Sequence, residues 1–225
     1  MSYVSGCFVD RIIGTLQKDT ITTIFGPPGS GKTTLTFMYA VNCINLGKKV
    51  IYIDTEGGFS VERLKQINDE VDLTNLIVFS AKSFEQQQKI IINLNKEIKN
   101  SKNIGLVIVD SLVMLYRLKL GDDPQRINSE LGEQLRLLTE ISRNFEIPIL
   151  VTNQMYKDFE TKKSKMVGGN LIEYWSKTIL EFDSENDIKF IKLRKHKFIG
   201  GNNKVNFKID NSGLVEIKHR SFNLF

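Results

Sequence analysis

The run Gly26-Pro27-Pro28-Gly29-Ser30-Gly31-Lys32-Thr33 constrains this chain more than any other stretch. Residues 20–25 before it are a short β-branched and apolar run, read as a buried strand. After it, Leu35, Phe37, Met38, Val41, Ile44 and Leu46 recur at near-helical spacing, and Gly47 stands where a helix would end. A glycine loop between a strand and a helix turns several backbone N–H groups and the positive helix end toward one point, a cradle suited to phosphate. The spacing G-x-x-x-x-G-K-[ST] in this context predicts that Gly26, Pro27, Pro28, Gly29, Ser30, Gly31, Lys32, Thr33 and Thr34 bind the phosphates of ATP. Lys32 would supply a mobile cation. The Thr33 hydroxyl would be an oxygen ligand for Mg2+, a hard ion.

Further along, strands are expected over 50–54, 76–80, 106–110 and 147–152, and helices over 61–68, 84–99 and 127–145. This alternation implies a mostly parallel sheet covered by helices on both faces. Residues 153–169 are polar and lysine-rich with no apolar period, and read as a mobile loop. Four short strands over 178–182, 188–193, 205–209 and 214–217 have turn chemistry and no helix between them. They are expected to extend one side of the sheet as antiparallel strands. The fold class is therefore α/β, and the length of 225 residues with 41% apolar residues fits one domain, 1–225.

Asp110 closes the apolar run Leu106-Val107-Ile108-Val109, which places it at the carboxyl end of a central strand, where open α/β sheets bind ligands. It is expected to hold the metal through water. Glu56 follows Asp54 at another strand end on the same rim. As a carboxylate it could orient an attacking water, and Gly57-Gly58 would leave it room; capping the helix that follows is the alternative.

Charge and cysteine content narrow the setting. Between Asn186 and Lys208 seven basic residues stand against the single acid Asp187, so this segment carries +6 within a chain total of +5. That is a candidate polyanion surface or a solvated strand face. Cys7 and Cys43 stand far apart with no C-x-x-C spacing, which fits two packed thiols in a reducing cytoplasm. No signal peptide or membrane span is expected from the first ten residues or from the run 104–115, which Gly105 and Asp110 interrupt.

Four segments together resemble the RecA/Rad51/RadA recombinase ATPase core: 26–34, Tyr52-Ile53-Asp54-Thr55-Glu56-Gly57-Gly58-Phe59 with Glu62-Arg63, 106–111, and Val151-Thr152-Asn153-Gln154. Their order and separation agree, and the resemblance covers nearly the whole chain. It implies a RecA-like core with Glu56 as the catalytic glutamate and Gln154 as the glutamine that reports the terminal phosphate to a DNA-binding loop. Arg63 would lie near the adenine. A first DNA-binding loop would hold Arg117 and Arg126; a second would hold Lys157, Lys162, Lys163 and Lys165. In that family and in KaiC-like ATPases a basic pair in the late strands reaches a neighbouring subunit's ATP, which implies Lys195 and Lys197 acting in trans, with DNA contact or plain exposure as alternatives. His196 between them reads as a packing residue, and Trp175 as partly buried packing.

No helical DNA-binding domain and no Phe-x-x-Ala linker are expected ahead of the core. The resemblance therefore implies an accessory of DNA recombination and repair that binds ATP and DNA, hydrolyses slowly and does not exchange strands itself. Its partners would be single-stranded or branched DNA, with the main recombinase or a structure-specific nuclease, and a homodimer or larger oligomer. A KaiC-like regulatory ATPase and a nucleotide-gated docking module are the competing readings.

Overall fold

The computed structural model describes residues 3–121, 123–157, 164–200 and 204–218. A short helix α1 (Val9–Ile13), which no sequence period announces, seats Val9, Ile12 and Ile13 in the core. Strand β1 (Ile21–Gly26), buried throughout, enters the glycine loop, and helix α2 (Lys32–Asn45) leaves it. Gly47 follows α2 with φ of +71°, the left-handed conformation expected past a helix end. Then come β2 (Lys49–Asp54), α3 (Val61–Ile67), a single 3₁₀ turn, β3 (Leu76–Ser80), α4 (Phe84–Ser101) and β4 (Ile104–Asp110). Helices α5 (Met114–Lys119) and α6 (Pro124–Phe145) precede β5 (Ile149–Lys157), β6 (Ser164–Met166) and α7 (Gly169–Trp175). The chain continues through β7 (Ser176–Glu185), β8 (Ile188–Lys195), β9 (Lys204–Asp210) and β10 (Gly213–Glu216).

The sheet order is β10-β9-β8-β7-β1-β5-β4-β2-β3, with β6 paired to β5 outside this path. From β7 to β3 every neighbouring pair is parallel; β7 to β10 run antiparallel to one another. The four late strands thus extend one side of the sheet as expected, except that the first of them, β7, joins β1 in parallel. A strand alternates its side chains between two faces, and β4 shows why its run is apolar without interruption. Leu106 and Ile108 face the core that contains α1 and α2, while Val107 and Val109 face the core that contains α4 and α6.

Helix α6 shows how local sequence sets an element. Asp123 caps it, its carboxylate accepting from the Arg126 N–H at 3.1 Å, and Pro124 opens it. Ile127, Leu131, Leu135, Leu138 and Ile141 then form one buried stripe, each worth about 1.5–3 kcal/mol of burial. Among the described residues no helix is long and apolar enough to cross a membrane. Cys7 and Cys43 are free thiols, and burial pushes Cys43 up to about 12.

Two segments differ from their sequence reading. Of the stretch read as a loop over 153–169, residues 153–157 prolong β5 and 164–166 pair back on it as an antiparallel hairpin, with Met155 opposite Met166 and Tyr156 opposite Lys165. Backbone pairing within the hairpin organises a sequence that has no apolar period to reveal it. The segment after Asp110, expected as a loop, contains α5 and the start of α6, because Leu115 and Tyr116 bury there.

Candidate functional site

The parallel registers bring the expected residues to one rim. Gly26 pairs with Gln154 across β1 and β5, and Asp54 pairs with Asp110 across β2 and β4. The loop after β1 turns through Gly29 and Gly31, both at positive φ, and Gly31 also caps α2. Lys32 Nζ donates to the carbonyls of Gly26 at 3.0 Å and Pro27 at 2.8 Å. Burial pushes the Lys32 ammonium down, opposed by the nearby charges of Glu56 and Asp110. Lys189 of β8, which sequence reasoning counted only as surface charge, donates to the Gly29 carbonyl at 3.0 Å.

Gly26 has no space for a side chain. A Cβ there would lie 2.3 Å from the carbonyl oxygen of Phe182, a backbone atom that cannot swing aside. Gly26→Ala is therefore expected to destabilise the fold by about 2–3 kcal/mol, a fall in Tm of roughly 4–10 °C measurable by calorimetry.

Asp110 is buried and fully engaged. Its carboxylate accepts from the Thr33 hydroxyl at 2.8 Å, from the Tyr52 hydroxyl at 2.6 Å and from the Thr152 hydroxyl. Burial pushes the Asp110 carboxyl up, against the lowering effect of the three donors, and the Glu56 charge adds to the rise. Tyr52 and Thr152 escaped the sequence reading because each reaches Asp110 from a neighbouring strand, a relation visible only in the register. Thr33 beside Asp110 gives the hard oxygen pair that magnesium prefers. Ser30 Oγ in the same loop is buried without a hydrogen-bond partner. An orphaned hydroxyl in a glycine cradle fits a phosphate oxygen, so the residues present suit both nucleotide and metal.

Glu56 stands across this rim from the loop. Its Oε1 accepts from Ser111 Oγ at 2.6 Å and from Gln154 Nε2 at 2.8 Å. The helix-capping alternative is excluded: Ser60 caps α3, accepting from the Arg63 N–H at 3.1 Å. Asp54 holds the turn that presents Glu56, since its carboxylate accepts from the backbone N–H groups of Glu56, Gly57, Gly58 and Phe59. Ser111 was missed, although its place immediately after Asp110 was the available signal.

The remaining candidates lie away from the phosphate loop. The Arg63 guanidinium donates to the carbonyls of Asp210 at 2.7 Å and Asn211 at 3.2 Å in the β9–β10 turn. That hairpin covers the phosphate loop, since a Cβ on Gly31 would lie 3.0 Å from Ile209 and 3.2 Å from Leu214. Arg63 is thus joined to the cover of the loop. Arg117 donates to Gln154 Oε1 at 2.9 Å. Arg126 is engaged with Glu130 at 3.1 Å and Asp123 at 3.9 Å on its own helix. Lys162 and Lys163 lie outside the described residues, as does the side chain of Lys157; Lys165 is exposed on β6.

Lys195 and Lys197 do not share a strand face, because β8 ends at Lys195 and the chain turns at His196. Lys195 Nζ donates to the Glu173 carbonyl at 2.5 Å, while Lys197 Nζ lies 3.9 Å from Asp19 and over the Phe198 ring. The turn follows from His196, whose Nδ1 accepts from the N–H groups of Phe198 and Ile199. Burial pushes the His196 imidazole down, in keeping with a packed residue. Trp175 is half-buried against the α6 side of the core.

Beside the rim opens a groove of about 1710 Å3, lined among others by Tyr116, Arg117, Tyr156, Lys165, Arg194 and Lys195. It excludes the phosphate loop but reaches Phe25 at the end of β1. Of these, Tyr156 is exposed, Tyr116 is buried with its hydroxyl donating to Asn128 at 2.6 Å, Arg194 is paired with Glu181 at 3.1 Å, and Glu173 is an acid in the same lining.

A mostly parallel sheet with this rim and these carboxylates defines a RecA-like α/β core. The chain belongs to the Rad51 family, whose model matches residues 4–217. It is 38% identical over 219 residues to the DNA repair and recombination protein RadB of Methanobrevibacter smithii, covering 92% of each chain. It is 38% identical over 209 residues to the RadB of Methanocaldococcus jannaschii, covering 90% of this chain and 96% of that one. Among solved structures, that described as the RadB recombinase superposes with a TM-score of 0.81 at 32% identity, over 96% of this chain and 100% of the other.

Proposed function

We propose that this chain is an accessory protein of homologous recombination and DNA repair that binds ATP and DNA in one RecA-like unit and hydrolyses ATP slowly. The observation that carries the reading is the convergence on one rim of Lys32, Thr33, Asp110, Glu56 and Gln154, next to a cationic groove. Its relationship to proteins named for DNA repair and recombination supports the process. Gly26 to Thr34 hold the phosphates, with Lys32 as their cation. Thr33 and Asp110 hold Mg2+, Asp110 through water, and the ion supplies charge neutralisation at the phosphates when bound.

Glu56 orients water and accepts its proton, fixed by Ser111 and Gln154. Arg117 and Lys165 contact DNA phosphates in the groove, and Lys157, Lys162 and Lys163 are further DNA contacts. Arg126 and the pair Lys195 and Lys197 keep their assigned roles only if DNA or a second subunit displaces their present partners. The absence of strand exchange, a cytoplasmic location and docking on the main recombinase or a nuclease complete the proposal.

The experiment is fluorescence anisotropy of an oligo(dT) probe from 50 to 200 mM salt. Affinity is expected to fall steeply with salt, as it must when phosphates are neutralised by Lys and Arg. Binding that is absent at 50 mM, or insensitive to salt, would sink the reading.

A further inference from the structure

Strand β8 delivers a second ammonium to the phosphate loop. Asn186 and Asp187 join β7 to β8 as a two-residue turn with φ of +50° and +63°, flanked by the pair Glu185 and Ile188. Two consecutive residues at positive φ make the tight hairpin whose twist matches its strands, so the arm that follows is stiff. Lys189, the second residue of β8, is paired with Ser184 on one side and Phe207 on the other. Side chains alternate along a strand, so Lys189 shares the face of Ile191 and Leu193, which bury in the core that contains α2. Its half-buried side chain follows the edge of that core to the glycine loop, where Nζ donates to the Gly29 carbonyl at 3.0 Å.

The loop is wedged at both ends and bare at its tip. Phe182 crowds Gly26, and Ile209 and Leu214 crowd Gly31, whereas a Cβ on Gly29 would meet nothing within 4 Å. Pro28 and Gly29 are exposed, and the Ser30 N–H reaches the Pro27 carbonyl only at 3.3 Å. We infer that Lys189 is a positioning residue that pins the tip of the phosphate loop from within the same chain, holding it in the phosphate-accepting shape before nucleotide arrives. This rests on the ATP reading above. A trans peptide points its carbonyl and the next N–H in opposite directions. An ammonium that fixes the Gly29 carbonyl on the outer side therefore keeps the Ser30 N–H turned into the loop, beside the unpartnered Ser30 hydroxyl. There a phosphate oxygen, a charged acceptor, displaces the weakly held Pro27 carbonyl. A loop ordered in advance spares the ligand the cost of ordering it, and affinity rises accordingly.

Lys189→Met removes the ammonium and keeps an unbranched apolar stem. By titration calorimetry, K189M is expected to bind ATP and ADP, each with Mg2+, about 3–10-fold more weakly than wild type, the worth of ordering a short segment. The two losses should be equal, because the loop cradles phosphates that both nucleotides carry. They should also persist from about 50 to 300 mM salt, since ions screen a distant charge but do not replace a pinned backbone. Lys189→Arg keeps a donor for the carbonyl and is expected to restore most of the affinity. Lys192→Met, which removes an equal charge from the opposite face of β8, should leave both affinities at the wild-type value. In nucleotide-free protein, hydrogen exchange of amides 29–32 is expected to be faster in K189M, with a Tm within about 2 °C of wild type. Wild-type affinity in K189M, or a loss confined to ATP or erased by salt, would overturn the inference and leave the functional reading intact. Wild-type protein that binds no nucleotide would instead remove the functional reading, and this inference with it.

Discussion

Glu56→Gln is expected to slow ATP hydrolysis by about 10²–10⁴-fold, the usual worth of a positioned general base. Nucleotide affinity should change by no more than a few-fold. Glutamine keeps the side-chain length and an oxygen that can still accept from Ser111 and Gln154, so the rim stays assembled. It cannot take a proton. Removing the base while sparing the cradle separates chemistry from binding, because the loop contacts made by Lys32 do not involve Glu56. Single-turnover hydrolysis with a parallel titration of a fluorescent nucleotide measures both. A rate loss below about 5-fold would assign the proton transfer elsewhere, and equal losses in rate and affinity would recast Glu56 as a binding residue.

Asp110→Asn should have two opposite effects. Magnesium-dependent nucleotide binding is expected to weaken by about 10–100-fold, as for loss of a group that holds a metal through its shell. The ligand-free protein is expected to gain stability at neutral pH. Burial raises the folded-state value of the Asp110 carboxyl above its unfolded value. A group shifted in that direction contributes its full stability below the unfolded value and loses it as pH rises through the folded one. At pH 7.5 the native state therefore bears a cost at this buried carboxyl, which asparagine removes; its Oδ1 can accept from the Thr33 and Tyr52 hydroxyls while its amide donates to the Thr152 oxygen. A gain of about 1 kcal/mol corresponds to a rise in Tm of roughly 2–4 °C, which should shrink as pH approaches 4. Scanning calorimetry of metal-free protein at the two pH values tests this. A lower Tm for the variant at pH 7.5 would mean that the three donors outweigh burial.

Much of the site was legible because its acidic residues stand at or just past the end of an apolar run. Asp110 closes β4 and Glu56 follows the end of β2, so a reader who can count strands finds the rim. Gly26 to Thr33 announces itself by spacing. What remained hidden depends on which strand lies next to which. Tyr52 and Thr152 flank Asp110 only because β4 sits between β2 and β5, and nothing local to either residue says so. The hairpin after Gln154 reads as a loop because its backbone pairs outside the main sheet order and, of its described side chains, only Met155 and Met166 pack on the core, too few to set a period. Lys195 and Lys197 are a different case. Their spacing of two is right for a shared strand face, but the strand stops between them, and the imidazole that accepts the turning N–H groups is the residue in the middle.

Strand β5 does not stop at the rim. Up to Gln154 it is paired with β1, and from Met155 it is paired with β6, so the central sheet and the hairpin share one unbroken piece of backbone. An extended strand already spans close to its full reach of about 3.3 Å per residue. It has no slack to stretch. Any load applied to the hairpin along its axis passes at once to the residue that meets Glu56, as tension in a taut cord passes to the hook.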